Sequence, residues 1–307
     1  METIVHHKIS DLYKTLGLPL EQEIDFTIMS IPDIHPQIPF KSPKLRADYF
    51  SFILNKEGSG TYYLDDNKFP YSSLTFYFTN PGHLKSYELK EAREALIITL
   101  TERFLKENVN LEIFSEFPFL LAEIVPPKKL SINEFEEFEI LYKQIANEFE
   151  KNSTYKNKIL GNLFTVLLLK IKEKFWGNYN PIEEGTRNSQ IVKLFKQLLE
   201  AEFRKIMDNN QSESKLQVQY LAEQLHLHPN YLNSVIKSKT GKTVNDWISF
   251  QTIVAAKDIL LNTSHSSKEI AYKLGFSEPT HFSRFFKKHT LLSPGAFRTS
   301  NKLKAIL

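Results

Sequence analysis

The chain has 307 residues, of which 41% are hydrophobic and 24% are charged. This is the composition of a folded globular protein, and its length predicts about two domains. The chain contains no cysteine, which excludes disulfide scaffolds, thiolate zinc sites, iron–sulfur clusters and cysteine nucleophiles. No apolar run approaches the roughly 20 residues of a membrane-spanning helix, and the first 20 residues lack the apolar core of a signal peptide. We therefore expect a cytoplasmic protein.

The net charge of +3 hides an asymmetry between the two halves of the chain. Residues 188–307 hold 17 lysines and arginines against 9 acidic residues, whereas residues 1–187 hold 22 against 27. A basic half joined to an acidic half indicates that one part of the chain meets a polyanion. A surplus of lysine is also typical of a soluble surface, so charge alone leaves both interpretations open.

Between residues 24 and 101 the sequence predicts β-structure. Short β-branched and aromatic runs are separated by polar or glycine-containing turns at residues 57–60, 65–68 and 80–82. This spacing is typical of consecutive hairpins. Several short strands at regular intervals predict a small barrel or sandwich over residues 20–105.

Two amphipathic helices follow the predicted strands. Ser131 and Glu134 form a capping box, after which apolar residues recur at steps of three and four. A second helix is predicted over residues 156–175, so the two helices form a hairpin within residues 131–176. The wide apolar stripe of the second helix fits both packing against the strands and a dimer interface. The dimer hypothesis uses Leu160, Leu163, Phe164, Leu167 and Ile171.

Residues 176–185 interrupt the helical pattern and carry the sharpest change of composition in the chain. The change favours a boundary between an N-terminal domain over residues 1–180 and a C-terminal domain over residues 188–307. Beyond the boundary the sequence predicts helices only. The first covers residues 191–207, and a polar connector follows over residues 208–215.

The basic half contains an internal repeat. Residues 221–232 resemble residues 270–282, and Ala222 and Ala271 are 49 positions apart. Each copy has a small residue, a turn, and a second helix that starts with proline, which is typical of a helix-turn-helix. Gly275 favours the positive φ that such a turn needs.

The two helix-turn-helix units are predicted over residues 218–240 and 267–289. A helix over residues 246–261, capped by Asn245, joins them and forms a strut of about 24 Å. A strut fixes the distance between the two second helices, and successive major grooves on one DNA face lie about 34 Å apart. Spacing and charge therefore both favour DNA as the partner.

Three segments carry a resemblance to a known family. Residues 270–276 read IAYKLGF, residues 282–288 read FSRFFKK, and residues 293–298 read SPGAFR. In this order they resemble the DNA-binding domain of the AraC/XylS transcription regulators, and the similarity covers residues 218–298. Leu291 departs from the family, which usually has glycine at that position. The resemblance implies double-stranded DNA as a partner, two recognition helices in adjacent major grooves, and RNA polymerase as a further partner.

The resemblance also implies roles for ten residues of the two recognition helices. Arginine fits the acceptor pair of guanine and asparagine fits adenine, whereas lysines hold phosphates without sequence choice. Arg284 is the favoured base reader because its guanidinium is a rigid fork of donors. For any one residue, the alternative is an ordinary solvated helix face. The predicted base contacts are Asn230, Asn233, Ser234, Thr280, His281, Ser283 and Arg284, and the predicted phosphate contacts are Lys237, Lys287 and Lys288.

In the same family the N-terminal domain resembles a cupin barrel that binds a small effector, followed by a helical hairpin that forms a homodimer. Metal-binding cupins bring several histidines together, but this region offers only His35 and His83, so we expect neither a metal nor another cofactor. The density of aromatic residues predicts a pocket for an apolar or aromatic ligand, unless the rings simply fill the barrel. The candidate ligand-binding residues are Lys44 and Arg46, as carboxylate anchors, with Tyr49, Phe52, Tyr62, Phe76 and Phe78.

The expected fold class is α+β with two domains: a cupin-like β-barrel with a helical hairpin, and then an all-α domain with two helix-turn-helix units. The expected function is a sequence-specific DNA-binding transcription regulator, not an enzyme, that responds to a small-molecule effector. One alternative is a regulator without a ligand, controlled by its abundance or by a protein partner. The other is a cupin-type enzyme with a DNA-binding tail. A repair methyltransferase of that kind needs a cysteine acceptor, which the chain lacks.

Overall fold

Strands dominate the first hundred residues of the computed structural model, and helices dominate the remainder. The structure describes residues 3–304 apart from 21, 66, 123–124, 177–185 and 209–215. The chain divides into two compact units. The first unit comprises Met1–Val109 and Phe117–Glu184, and the second comprises Asn110–Glu116 and Gly185–Leu307. Apart from Trp176 and Asp208, the predicted domain boundary and the predicted polar connector lie outside the described residues.

One sheet in the first unit contains nine strands among the described residues. The strands are β1 (Ile4–His6), β2 (Phe26–Ser30), β3 (Phe40–Lys41), β4 (Leu45–Ala47), β5 (Tyr49–Leu64), β6 (Asn67–Tyr71), β7 (Thr75–Thr79), β8 (Leu84–Thr101) and β9 (Lys128–Lys129). Their order is β1-β4-β8-β5-β7-β9, with β2 and β3 also paired to β8 and β6 paired to β5. In the described part of the chain the two ends of this path do not pair. The sheet is therefore open, and the predicted closure into a barrel is not found.

The long strand β5 corrects one predicted turn. Residues 57–60 do not reverse the chain, because β5 continues through them and pairs with β8 on both sides. The register shifts between residues 55 and 60, so the extra residues form bulges. A Cβ on Gly60 would lie 2.3 Å from the carbonyl oxygen of Glu88, so glycine permits the close approach of β8. The next predicted turn, after Leu64, does form the β5–β6 hairpin.

Strand alternation gives the sheet two different buried faces. Phe52 and Phe78 stack with their ring centroids 5.1 Å apart, and Phe52 also meets Phe164 of the helical hairpin edge-on. Their strand neighbours Ser51 and Tyr77 point to the opposite face, because successive side chains alternate. One face is therefore a packed aromatic core, and the other borders a cavity.

The helices of the first unit follow the predicted hairpin closely. Ser131 and Glu134 form the expected capping box, with the Glu134 carboxylate 2.8 Å from the Ser131 amide nitrogen. The second helix of the hairpin has the predicted bounds. The helices are α1 (Ile9–Thr15), α2 (Ile31–Ile34), α3 (Glu102–Asn108), α5 (Ile132–Phe149) and α6 (Lys156–Phe175), with a 3₁₀ turn over Pro118–Leu121.

The face of α6 that was assigned to a dimer interface points inward. Four of its five residues are completely buried within the first unit and Leu163 is half-buried, so this stripe packs against the chain's own core. The buried residues are Leu160, Phe164, Leu167 and Ile171. The apolar residues that α6 exposes are Ile159, Val166 and Leu169, on another side of the helix. The predicted dimer surface is therefore wrong in its residues.

The second unit is entirely helical in its described residues. Its helices are α4 (Ile113–Glu116), α7 (Arg187–Asp208), α8 (Val218–Gln224), α9 (Pro229–Thr240), α10 (Val244–Asn262), α11 (Ser267–Lys273), α12 (Pro279–Thr290) and α13 (Pro294–Lys304). Two apolar clusters meet at α10, which gives Trp247 to the first and Ile259 to the second. A helix that is buried on both sides needs apolar residues all around it. Its cap is Thr243 rather than the predicted Asn245.

Candidate nucleic-acid interface and small-molecule cavity

The second unit contains two helix-turn-helix units with the same geometry. In the first, α8 and α9 are joined at His226, whose φ is 55°, and in the second, α11 and α12 are joined at Gly275, whose φ is 80°. The second helices end alike, at Gly241 with φ 76° and at Leu291 with φ 65°. Both turns therefore need the left-handed conformation that glycine adopts most easily. His226 and Leu291 adopt it without glycine's freedom.

One side of each second helix is packed and the other faces solvent. Leu232 and Ile236 of α9, and Phe282 and Phe286 of α12, are completely buried. An offset of 50 residues relates these positions in the two helices. Five of the predicted base-contacting residues lie on the exposed sides: Asn230, Ser234, Thr280, His281 and Arg284.

Asn233 has a contact within the protein. Its side-chain oxygen accepts a hydrogen bond of 3.0 Å from the backbone amide of Val244, in the first turn of α10. Asn233 is half-buried, and so is Ser283, which occupies the equivalent position in α12. Asn233 therefore ties α9 to the strut helix that links the two units.

Tyr231 is an exposed residue of α9 that sequence reasoning missed. It is 42% exposed, and it corresponds to His281 through the offset of 50 residues. Its hydroxyl donates a hydrogen bond of 3.2 Å to the side chain of Asn188 on α7. Aligning the two copies of the repeat position by position would have identified it.

Four cationic residues on these two helices are exposed. Lys237 of α9 and Arg284, Lys287 and Lys288 of α12 make no ion pair with any side chain in the described part of the chain. Cationic groups without a protein partner are available to neutralise phosphates. The α12 face thus presents three adjacent positive charges, with Glu278 at the start of the helix as its acidic neighbour.

A segment from the N-terminal half of the sequence completes the second unit. The Glu200 carboxylate on α7 accepts hydrogen bonds from the backbone amides of Phe114 and Ser115, at 3.4 and 3.2 Å. The Lys196 ammonium lies 4.4 Å from the centre of the Phe114 ring and 4.3 Å from that of Trp247. Residues 110–116 are therefore attached to the first helix-turn-helix unit through α7 and α10.

A cavity opens on the second buried face of the sheet, within the first unit. It encloses about 740 Å³, a figure that includes its mouth to solvent. Nine of its lining residues are apolar, and the others supply hydroxyl groups, one imidazole and one amine. The lining residues are Leu12, Leu16, Met29, Ile31, Ile34, His35, Leu45, Tyr49, Ser51, Ile53, Tyr62, Tyr77, Thr79, Lys85, Tyr87, Leu89, Ile97 and Thr99.

The cavity contains two of the seven predicted ligand-binding residues, Tyr49 and Tyr62. The three phenylalanines, Phe52, Phe76 and Phe78, are completely buried on the opposite face of the sheet, where they contact the helical hairpin. Lys44 is exposed and Arg46 is half-buried, and neither lines the cavity, because the inward-facing residues of β4 are Leu45 and Ala47. The predicted carboxylate anchors therefore lie outside this cavity.

Lys85 is the cationic residue of the cavity, and sequence reasoning missed it. It is 8% exposed, its ammonium donates a 2.9 Å hydrogen bond to the Thr79 hydroxyl, and it lies 5.2 Å from the centre of the Tyr49 ring. Burial removes water from the amine and lowers the pKa of Lys85 to about 7. The Tyr62 hydroxyl, also buried, makes no hydrogen bond within the described residues.

Burial favours the neutral forms of the histidines and tyrosines near Lys85. Burial lowers the pKa of His6 and of His35 below the usual value of 6.5. Burial also raises the pKa of Tyr49, and it does the same for Tyr87, whose hydroxyl lies 2.7 Å from the imidazole of His35. Within the described residues, no group of three or more His, Cys, Asp or Glu side chains could hold a metal ion.

The C-terminal residues match a known domain family. Residues 221–300 match the family described as "Helix-turn-helix domain". The uncharacterized HTH-type transcriptional regulator YtdP of Bacillus subtilis (strain 168) is 32% identical over 109 residues, which are 34% of this chain and 14% of YtdP. The match thus spans only a small part of that relative. The C-terminal domain is an AraC-type helix-turn-helix domain.

Two other comparisons extend along most of the chain. The uncharacterized HTH-type transcriptional regulator YfiF of Bacillus subtilis (strain 168) is 24% identical over 266 residues, which are 84% of this chain and 79% of YfiF. A solved structure of ToxT from Vibrio cholerae is 14% identical, with a TM-score of 0.35 over 90% of this chain and 98% of ToxT. No helix among the described residues is long and apolar enough to cross a membrane.

Proposed function

We propose that the chain is a sequence-specific DNA-binding transcription regulator that responds to a small molecule bound by its first unit. The observation that carries the proposal is the duplicated helix-turn-helix with four exposed cationic side chains that lack an acidic partner among the described residues. Helix-turn-helix units place the second helix in the major groove of DNA. Two such units, joined by the single buried helix α10, can read two neighbouring grooves.

The proposed contacts differ in kind along the two helices. Arg284 is the proposed reader of a guanine, and its counterpart Ser234 in the first unit carries no charge. Lys287 and Lys237 occupy equivalent positions 50 residues apart, and we assign both to phosphates because a phosphate contact can recur in each groove. Lys288 adds a third phosphate contact. Asn230, Tyr231, Thr280 and His281 complete the surface that faces the bases.

The cavity supports the second half of the proposal. A regulator controlled only by its abundance would need no cavity, whereas this one is lined by apolar groups and a few polar ones, as ligand sites usually are. A ligand shifts a conformational equilibrium only by its differential affinity for the two states. The proposed effector would therefore change DNA binding to the extent that it favours one arrangement of the chain.

Selection of bound sequences from a random duplex pool tests DNA reading. The full chain at about 150 mM salt, where nonspecific attraction is weakened, should recover a motif with two half-elements about 10 base pairs apart. With that motif in hand, Arg284→Ala should relax the choice at one base position and cost about 1–3 kcal/mol of binding free energy on the best site. Lys287→Ala should weaken binding to all sequences alike and lower the salt slope by about one.

A control removes one positive charge elsewhere. Lys158 on α6 is exposed and belongs to the first unit, so Lys158→Ala changes the net charge equally and should leave both the motif and the salt slope unchanged. If Lys287→Ala and Lys158→Ala weaken binding equally, the contacts assigned to α12 are wrong. If no motif is recovered with or without the cavity ligand, the proposed sequence-specific function is wrong.

A further inference from the structure

We propose that the cavity of the first unit binds a small monocarboxylic acid with an apolar body, whose carboxylate pairs with the Lys85 ammonium. The inference rests on the proposed effector function and names the chemical class of that effector. It is carried by the position of one amine in a cavity whose other lining residues are apolar, hydroxyl-bearing or histidine.

The charge of the ligand follows from what surrounds Lys85. The described residues that line the cavity include neither aspartate nor glutamate, so Lys85 has no counter-ion there. Its ammonium donates to the Thr79 hydroxyl, which uses one of its three N–H donors, and it lies over the Tyr49 ring, which adds only a weak attraction. A buried cation without an anion is costly in a folded protein. An anionic ligand supplies the missing partner.

The ligand carries one negative charge because the cavity offers one cation. A phosphate monoester brings nearly two charges at neutral pH, and a second cation would be needed to pair with it. The histidines near the cavity are poor candidates for it, because burial lowers the pKa of His6 and of His35 and so favours their neutral forms. A carboxylate brings a single charge and two acceptor oxygens. The Tyr62 hydroxyl, buried and without a partner among the described residues, is a donor for the second oxygen.

The body of the ligand is apolar because nine of the residues that line the cavity are aliphatic or methionine. Apolar side chains from α1, β2 and β8 contribute to this lining, among them Leu12, Met29 and Ile97. Most hydroxyl groups of the wall already have partners, among them Tyr87 with His35 and Ser51 with Thr99. A carbohydrate would therefore find too few partners for its own hydroxyl groups, and each unpaired hydroxyl would be penalised. A short aliphatic or aromatic acid has both the charge and the apolar surface that the cavity matches.

Calorimetry on the purified full-length protein at pH 6.5 tests the inference without DNA. The probes are straight-chain monocarboxylates from butanoate to octanoate and phenylacetate, each with its primary amide, which keeps the shape and removes the charge. At least one acid should bind, and its amide should bind at least tenfold more weakly. Lys85→Met, which keeps the length of the side chain, should weaken that acid at least tenfold and leave the amide unchanged. Tyr62→Phe should weaken the acid several-fold.

A matched control uses the lysine that lies outside the cavity. Lys44→Met removes an exposed ammonium close to β4 and should leave the affinity for the acid unchanged. The inference is overturned if no acid in the series binds, if acid and amide bind equally, or if Lys44→Met and Lys85→Met have the same effect. These outcomes are independent of DNA selection. If a DNA motif is recovered but no acid binds, the proposed ligand class is wrong, and the proposed DNA-binding function is still supported.

Discussion

The charge state of Lys85 predicts a specific pH dependence for acid binding. In the unliganded protein the pKa of Lys85 is about 7, and a bound carboxylate stabilises the protonated amine. Affinity is therefore highest below pH 7 and falls as the pH rises through 7, because an ammonium must first be formed. Above pH 7 the affinity falls about tenfold per pH unit, so it should drop about twentyfold between pH 6.5 and pH 8.5.

The neighbouring groups do not produce the same profile. Burial raises the pKa of the cavity tyrosines and lowers the pKa of the two buried histidines, so the neutral histidine forms predominate at pH 6.5 and above. Asp11 acts on His6 electrostatically, and its carboxylate accepts hydrogen bonds from the backbone amides of His7 and Lys8 at 2.8 and 3.0 Å. The titratable or charged groups that face Lys85 or its neighbours are His6 on β1, Asp11 on α1, His35 after α2, Tyr49 and Tyr62 on β5, Tyr77 on β7 and Tyr87 on β8.

Titration calorimetry at half-unit pH steps measures the profile. Binding at pH 8 should also take up close to one proton, which the dependence of the measured heat on the buffer's ionisation enthalpy reports. The primary amide of the same acid should show neither effect. A constant affinity across this range, or an affinity that rises with pH, would refute the assignment of Lys85 as the anchor.

Three further predictions concern stability. Lys85→Met should raise the free energy of unfolding at pH 7 by about 2–4 kcal/mol, and this gain should shrink toward pH 10. The reason is that between pH 7 and 10 the Lys85 amine is protonated in the unfolded chain but not in the folded one. Denaturant titration at several pH values measures the gain. Leu291→Gly should stabilise the protein by about 1 kcal/mol, because Leu291 is 84% exposed and has φ 65°, whereas Gly241→Ala should destabilise it by a similar amount; equal signs in thermal melts would contradict this. Glu200→Ala should cost about 1–3 kcal/mol and speed hydrogen exchange at the Phe114 amide, and unchanged exchange there would contradict the attachment of residues 110–116.

Local signals in the sequence located the helices well. The predicted capping box at Ser131 forms, and the helical spacing predicted the bounds of α6 correctly. Capping boxes and helical spacing depend only on residues within about one helical turn of each other. The sequence therefore contains everything that determines them. The repeat with an offset of 50 residues located both helix-turn-helix units for a similar reason. Their packing depends on residues that lie close together in the chain.

Long-range pairing was the part that local signals could not give. Residues 57–60 look like a turn, and only the bulged pairing of β5 with β8 shows that the strand runs through them. The predicted dimer interface on α6 was wrong for the same reason. An apolar stripe shows that a helix face is covered, and the partner that covers it can be the chain's own sheet or a second copy. In this protein Phe164 meets Phe26 and Phe52 of the sheet.

Lys85 illustrates a limit of another kind. In a sequence a lysine is read as a surface residue, because lysine is almost never fully buried, and Lys44 and Arg46 therefore looked like equal or better candidates. Two structural facts reverse the order: β4 turns Leu45 and Ala47 inward, and the start of β8 places Lys85 under the ring of Tyr49. Burial of Lys85 without a counter-ion lowers the stability of the folded state. A residue kept at such a cost is explained more simply by a ligand that supplies the missing charge than by packing, which a methionine would serve as well.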